Sequence, residues 1–370
     1  AGCAEEYKVI LDIGSCLSKC GSSDDDAPRY VDYSIAGRKL KGYSTCIVGC
    51  GTPKDVYMSY EACSKSSILS IEHPIQRGIV KNWEDYEKLL YSILYGTANQ
   101  FPEDHGIFIP YYPYNPLSDS HGITQILFET FNVPGMMLSV AEVPIFELYL
   151  GGRGSSGILV ECGSDVLRVY PIYKNQLLTH SVGKWNFGGK DITDYLQKLL
   201  ASKYFFHTSE EKFILDDLKI EKSFVSQNYM EDLRKYKENN ILQEYTLPDG
   251  SILELGSEVF ESSEAYFQPH LFGESFIGIQ NAIFETIQKC DDEIRMELCQ
   301  NIVLAGGSII NGMDIRLKNE LSKLMNCDTL NVQIIQGHKY ASWTASSVVC
   351  SIEGIESKFF NHNEYGEYGP

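Results

Sequence analysis

The chain has 370 residues, about twice an ordinary domain, and 50 acidic residues against 31 basic ones give a formal charge of −19. That balance excludes the clustered Lys and Arg footprint of a nucleic-acid-binding protein and of an anchor for anionic membranes. With 43% hydrophobic and 12% aromatic residues, the chain is expected to bury a sizeable core and not to be disordered.

Residues 1–8 (Ala-Gly-Cys-Ala-Glu-Glu-Tyr-Lys) show no basic region followed by an apolar stretch, so no secretory signal is expected. The first apolar run, residues 7–11, reads as a buried strand ending on Asp12 and breaking into the Gly14-Ser15 turn. A second strand follows at 17–20. The eleven cysteines are odd in number and never spaced Cys-x-x-Cys, which fits a reducing cytosol or nucleus. The Cys16/Cys20 and Cys46/Cys50 pairs therefore read as buried or turn cysteines, not as zinc ligands. Asn82 caps a helix over 83–94 with acids in its first turn. A further helix is expected at 123–131. The apolar run 133–150 is interrupted by Pro134, Glu142, Pro144 and Glu147 and does not read as a membrane span.

The opening pattern returns some 149 residues later: a strand at 158–160 ends on Glu161 and breaks into Gly163-Ser164-Asp165, with a second strand at 166–172. Two such units in matched contexts point to an internal duplication. Helices are expected at 191–202 and 276–289. A strand at 302–305 runs into Gly306-Gly307-Ser308 and a helix over 313–325, and a last strand at 330–335 precedes Lys339-Tyr340. Alternating strands and helices predict an α/β protein, and the polar stretches 36–70 and 205–270 predict two accessory lobes.

Small residues at a hairpin let backbone amides approach phosphate oxygens, and a nearby cation offsets the charge. The first turn supplies amides around Cys16 and Leu17, the Ser15 hydroxyl and the Lys19 ammonium; the second supplies Ser164, Asp165 and Val166. Asp12 and Glu161, at the ends of paired strands, suit the water shell of a magnesium ion.

The chain resembles the actin family. The resemblance is carried by Asp24-Asp-Asp-Ala-Pro-Arg29, Ser34-Ile-Ala-Gly-Arg38, His73-Pro-Ile-Gln-Arg-Gly-Ile-Val-Lys-Asn-Trp83 and Gln125-Ile-Leu-Phe-Glu-Thr-Phe-Asn132. It continues through Gly189-Lys-Asp-Ile-Thr-Asp-Tyr-Leu196, Tyr245-Thr-Leu-Pro-Asp-Gly250, Leu304-Ala-Gly-Gly-Ser308 and Lys339-Tyr-Ala-Ser-Trp343. It implies a bilobal α/β fold shared with the Hsp70 ATPase domain and sugar kinases, with a duplicated βαβ-type core and two smaller accessory lobes. It implies four subdomains: 1–35, 74–150 and 341–370; 36–73; 151–187 and 275–340; and 188–274. It also implies ATP or ADP with Mg2+ or Ca2+. The nucleotide would be held by Asp12, Ser15, Cys16, Leu17 and Lys19 from the first loop and by Ser164, Asp165 and Val166 from the second. Gly189, Lys219, Gly306, Gly307, Ser308, Lys339 and Tyr340 would complete the site, with Asp12 and Glu161 holding the metal through water.

Departures from the family pattern concentrate on hydrolysis. Ala141 stands where the family orients the attacking water with glutamine, and Glu142 is the polar substitute beside it. Glu161 replaces an aspartate and Arg168 a histidine, so Glu142 and Glu161 are the catalytic candidates in an altered network. Cys16 replaces a glycine, Ile220 an acid near the ribose, and Arg77 a histidine that the family methylates. The 39–51 loop keeps the length but not the sequence of the family's subunit-contacting loop, and the chain stops at Pro370, short of the family's last turn. The reading is a divergent actin-family protein that binds ATP, hydrolyses it slowly or not at all, and acts by seeding, capping or joining a filament or complex. The expected partners are actin or actin-related proteins and actin-binding or complex subunits, with no direct nucleic-acid or membrane contact. The expected setting is the cytoplasm and cytoskeleton, or else the nucleus. The alternatives are a scaffold subunit of a nuclear chromatin-remodelling complex and a metabolite kinase of the same fold.

Overall fold

Val9–Ile13 is buried along almost its whole length, because it is paired on both edges and covered on both faces; such a strand reads as a continuous apolar run, without alternation. It lies in a computed structural model that describes residues 7–40, 54–112, 114–150, 155–206, 208–273, 275–327 and 329–370. The Cys46/Cys50 pair and most of the 39–51 loop lie outside these residues. The chain forms two compact units, Ala1–Leu148 with Tyr340–Pro370, and Tyr149–Lys339.

The large sheet of the first unit runs Tyr30–Tyr33, Leu17–Ser22, Val9–Ile13, Ile107–Pro110, Gly135–Ser139 and Phe360–Asn361. Its three middle strands, Val9–Ile13 through Gly135–Ser139, are parallel, and the outer pairings are antiparallel. Helix Ala341–Cys350 covers it with Trp343, which is fully buried beside Ile10 and Phe108. A Cβ at Gly21 would sit 2.7 Å from the Trp343 ring, so the strand needs glycine where the helix crosses it. A small sheet of Ala36–Lys39, Tyr57–Met58 and Leu69–Glu72 is tied back by Arg38, whose guanidinium grips buried Asp85 through two bonds of 2.9 and 2.7 Å.

The second unit repeats the plan. Gly157–Cys162 pairs antiparallel with Leu167–Tyr173 and parallel with Ile302–Ala305, which pairs parallel with Val332–Ile334. Gln176–Leu177 and Gly183–Trp185 flank Leu167–Tyr173. Helices Ile279–Gln288 and Met313–Met325 pack Ile283, Ile287, Leu317 and Leu321 into the core beneath this sheet. A satellite cluster centred on Leu215, Leu218, Leu255 and Phe260 joins helices Ser209–Lys222 and Glu258–Glu264 to the hairpin Gln243–Thr246/Ile252–Leu255.

Several boundaries differ from the sequence reading. Both leading strands run one residue past the acid on which they were expected to end, to Ile13 and Cys162, and Asp12 and Glu161 have cross-strand partners there. The helix expected at 123–131 begins at Leu117, behind Pro116, and its last part, Ile126–Thr130, winds as a π-helix. Ser118, His121 and Gly122 had hidden the start; a Cβ at Gly122 would meet the Trp83 ring at 2.4 Å. The helix expected from 276 begins at Ile279, because Gly278 takes φ +89, which a helix interior excludes. Helix Trp83–Tyr91 has the expected cap, with the Asn82 side chain accepting from Asp85 N–H at 3.1 Å. Among the described residues no helix is long and apolar enough to cross a membrane.

Candidate functional site

In the first unit the antiparallel register sets Asp12 opposite Lys19, and their side chains meet at 2.6 Å while nearly buried. The turn between them closes when Gly14 N–H donates to Leu17 C=O at 3.0 Å. A Cβ at Gly14 would lie 2.9 Å from that same oxygen, which is why the turn takes glycine. The loop carbonyls are also anchored. Ser34 N–H donates to Cys16 C=O at 2.8 Å, and His73 Nδ1 donates to Ser15 C=O at 3.1 Å, since a carbonyl can only accept. Anchored carbonyls fix the peptide planes of the loop, as a pre-organised amide cradle requires. Ala141 and Glu142, also in this unit, are buried at the start of helix Glu142–Leu150, with Ala141 C=O accepting from Ile145 N–H.

The second unit builds the same turn. Glu161 faces Arg168 across the strands with Nη1 3.3 Å from the carboxylate, and Gly163 N–H donates to Val166 C=O at 3.0 Å. A Cβ at Gly163 would again sit 2.9 Å from the accepting oxygen. Here the loop carbonyls are held by a helix. Gly189 N–H donates to Gly163 C=O at 3.1 Å and Lys190 N–H to Ser164 C=O at 2.8 Å, so the N-terminus of Gly189–Leu200 is docked on the loop. Gly188 permits this approach, because a Cβ there would be 2.5 Å from Ser164 O and 2.6 Å from Gly163 O. Asp165 and Val166 are buried.

Gly306, Gly307 and Ser308 join this loop. Ser308 N–H donates to Cys162 C=O at 3.1 Å. Gly306 takes φ +106 and would place a Cβ 2.3 Å from the same oxygen, so no other residue fits without rearrangement. Gly306 N–H donates to His338 C=O, and His338 Nδ1 donates back to Gly306 C=O at 2.6 Å. Lys339 passes Gly307, whose Cβ would be 3.8 Å from the lysine Cγ. Tyr340 begins the segment that returns to the first unit. Lys219 donates to Gly189 C=O, Thr193 Oγ1 and Asp216 Oδ1 at 3.0, 2.5 and 2.8 Å, so its ammonium positions the start of the docked helix.

Lys219 also lines a cavity of 590 Å³ with Glu221, Lys222, Phe224, Gln243 and Asn311. That volume lies within the range of small-ligand sites. Glu221 and Lys222 are paired at 2.9 Å on its wall. Sequence reading missed Phe224, Gln243, Asn311, Gly188 and the two histidines. Only Gly188 had a local signal, since it stands beside Gly189. Burial pushes the Cys20 and Cys162 thiols, one from each hairpin, up to about 12, with nearby Asp25 and Glu161 adding to the shift.

A pair of α/β units, each opening with an acid–glycine hairpin and set on a mixed sheet with a parallel core, defines the class of duplicated two-unit α/β proteins. The actin family model matches residues 3–370. The Dictyostelium discoideum protein named "Putative actin-29" is 33% identical over 371 residues, covering 98% of this chain and 94% of that protein. The chain belongs to the actin family.

Members of that family bind ATP or ADP with a divalent cation, and the residues here fit the nucleotide. The hairpin glycines and Gly306 let the backbone fold tightly at these turns, where any Cβ would collide with a loop carbonyl. Asp12 and Glu161 are each a carboxylate of the kind that can hold the water shell of a cation, although each already faces a cation of its own hairpin.

Proposed function

We propose that this protein is a divergent actin-family member that binds ATP and acts through assembly, seeding, capping or joining a filament or multi-subunit complex, with weak or absent hydrolysis. The observation that carries the reading is the duplicated glycine hairpin with anchored loop carbonyls, kept in both units together with the cavity beside Lys219. The phosphates would lie against the amides of Ser15, Cys16 and Leu17 and of Ser164, Asp165 and Val166, and the adenosine against Lys219, Gly306, Gly307, Ser308, Lys339 and Tyr340. A bound Mg2+ or Ca2+ would screen phosphate charge, with Asp12 and Glu161 holding its water shell.

Weak hydrolysis rests on the residues at Ala141 and Arg168. A methyl group cannot orient water, and the Arg168 guanidinium is committed to Glu161. Glu142, buried at the start of its helix, is the remaining carboxyl in that stretch. Partners of the actin type, a cytoplasmic or cytoskeletal setting and division of each unit into a large and a small subdomain follow from the same reading.

The test combines ATP binding, phosphate release and sedimentation in magnesium. Saturable binding with almost no release supports the reading. Rapid ADP formation with the phosphoryl group carried onto a small acceptor would point to a kinase and sink it, and long polymers formed by the protein alone would exclude a purely capping role. Ala141→Gln is expected to raise phosphate release by about tenfold or more, as a positioned water-orienting group does. An unchanged rate would assign the loss elsewhere.

A further inference from the structure

The cavity beside Lys219 lies wholly within the second unit, and its 590 Å³ leaves room for a base and its sugar. A base edge would be read there by the polar part of the wall. Lys219 adds no donor to it: an ammonium has three hydrogens, and these are committed to Gly189 C=O, Thr193 Oγ1 and Asp216 Oδ1. The other polar positions each offer both a donor and an acceptor. Gln243 Nε2 donates to the Tyr236 hydroxyl at 3.3 Å. A phenol also donates, so the amide can turn over and keep this bond through Oε1. Asn311 is exposed and tied by its C=O to Val225 N–H at 2.8 Å, and its side-chain amide has no hydrogen-bond partner among the described residues. Glu221 and Lys222 set an acceptor and a donor side by side, 2.9 Å apart. Ser223 carries a hydroxyl, which does both. The rest of the wall, Ile220, Phe224 and Ile310, is apolar.

Adenine and guanine differ at the six position, where adenine presents an amino donor and guanine a carbonyl acceptor. A site of fixed donors and acceptors rejects the wrong base, because its own groups are then left unpaired. A wall whose amides turn over carries no such penalty.

We infer that this cavity takes a purine base without distinguishing adenine from guanine, with Gln243 and Asn311 as the groups that follow the base edge. The inference rests on the nucleotide-binding reading above and widens its ligand from ATP to purine nucleoside triphosphates.

The experiment titrates the full chain with ATP, GTP and CTP in magnesium by calorimetry, with thermal midpoints to confirm that each variant folds. ATP and GTP are expected to bind within about tenfold of each other, and CTP, whose smaller base leaves part of the wall unfilled, about tenfold or more weaker. Gln243→Glu leaves only acceptors at that point and still receives the Tyr236 hydroxyl. It is expected to change the ratio of the ATP and GTP affinities by about tenfold or more. Asn311→Leu is expected to weaken both purines by one common factor, about threefold to tenfold.

A wild-type gap between ATP and GTP larger than tenfold would overturn the inference and leave the proposed function standing. CTP binding as tightly as ATP would do the same, as would affinities that neither substitution moves, since the base would then lie outside this cavity. Should Gln243→Glu fail to fold, Gln243→Leu decides: weakening of both purines alike supports the inference, and unchanged binding overturns it. If the wild type binds none of the three nucleotides, this inference and the proposed function fall together.

Discussion

The first and second hairpins impose the same backbone demand and meet it with different supports. Both close through a glycine N–H on the carbonyl three residues ahead, and both exclude a Cβ at the same 2.9 Å. The first is braced from outside by Ser34 and the His73 ring, and its charge pair is tight at 2.6 Å. The second is braced by a helix N-terminus, and its pair is looser at 3.3 Å. The turn is thus the element that keeps its form between the two copies, and the scaffolding around it is what varies.

The comparison breaks most severely at Gly306, since among the described residues no glycine packs in this way against the first loop. Gly306→Ala must relieve a 2.3 Å approach to the Cys162 carbonyl from a left-handed backbone. We expect it to cost about 3 kcal/mol or more, read as a fall in thermal midpoint, whereas Gly307→Ala, with only a 3.8 Å neighbour, is nearly silent. Equal effects at the two positions would contradict the account.

Next come the charge pairs. Lys19→Ala and Arg168→Ala each remove the cross-strand cation from a largely buried carboxylate, and each is expected to cost about 3–5 kcal/mol in denaturant unfolding. Because the Lys19 pair is shorter, it should show the larger coupling with its acid in a double-mutant cycle. Alkaline stability offers a third measure. The Cys20 and Cys162 thiols are raised from 9.0 to about 12 by burial, so the folded state favours the neutral thiol. The stabilisation is whole below pH 9 and is lost as pH rises from there toward 12, by ~1.4 kcal/mol per pH unit and thiol. Cys162→Ala should flatten that slope. The smallest effect is at His73: loss of its bond to Ser15 is expected to cost about 1 kcal/mol, with the second unit's hydrogen-exchange protection unchanged.

Much of this arrangement was legible in the sequence, for identifiable reasons. Asp12-Ile-Gly-Ser and Glu161-Cys-Gly-Ser repeat because a tight turn beside a buried strand constrains residue type locally. The strands were read one residue short, since Asp12 and Glu161 are kept in the sheet by Lys19 and Arg168 across from them, partners that polarity alone does not reveal. The helix at Leu117–Gln125 was seen only in its last three residues, since its opening turn carries Ser118, Asp119 and Ser120. The rest of the cavity wall was invisible: Lys219 was named through the family resemblance, but Gln243 and Asn311 come from distant segments and share no pattern with it. His338 and His73 matter through single ring nitrogens aimed at carbonyls, which is a property of the fold and not of spacing.

The docked helix Gly189–Leu200 has a mechanical consequence. One end is fastened to the loop at Gly163 and Ser164, while Leu196 and Leu200 are sealed into the satellite cluster with Phe206 and Leu215. Its twelve residues form a strut of about 18 Å. A helix this short is stiff along its axis, because its backbone hydrogen bonds run nearly parallel to that axis. A shift of the second loop by an ångström therefore reaches the satellite lobe as a shift of comparable size, and the lobe becomes a gauge of what the loop is holding.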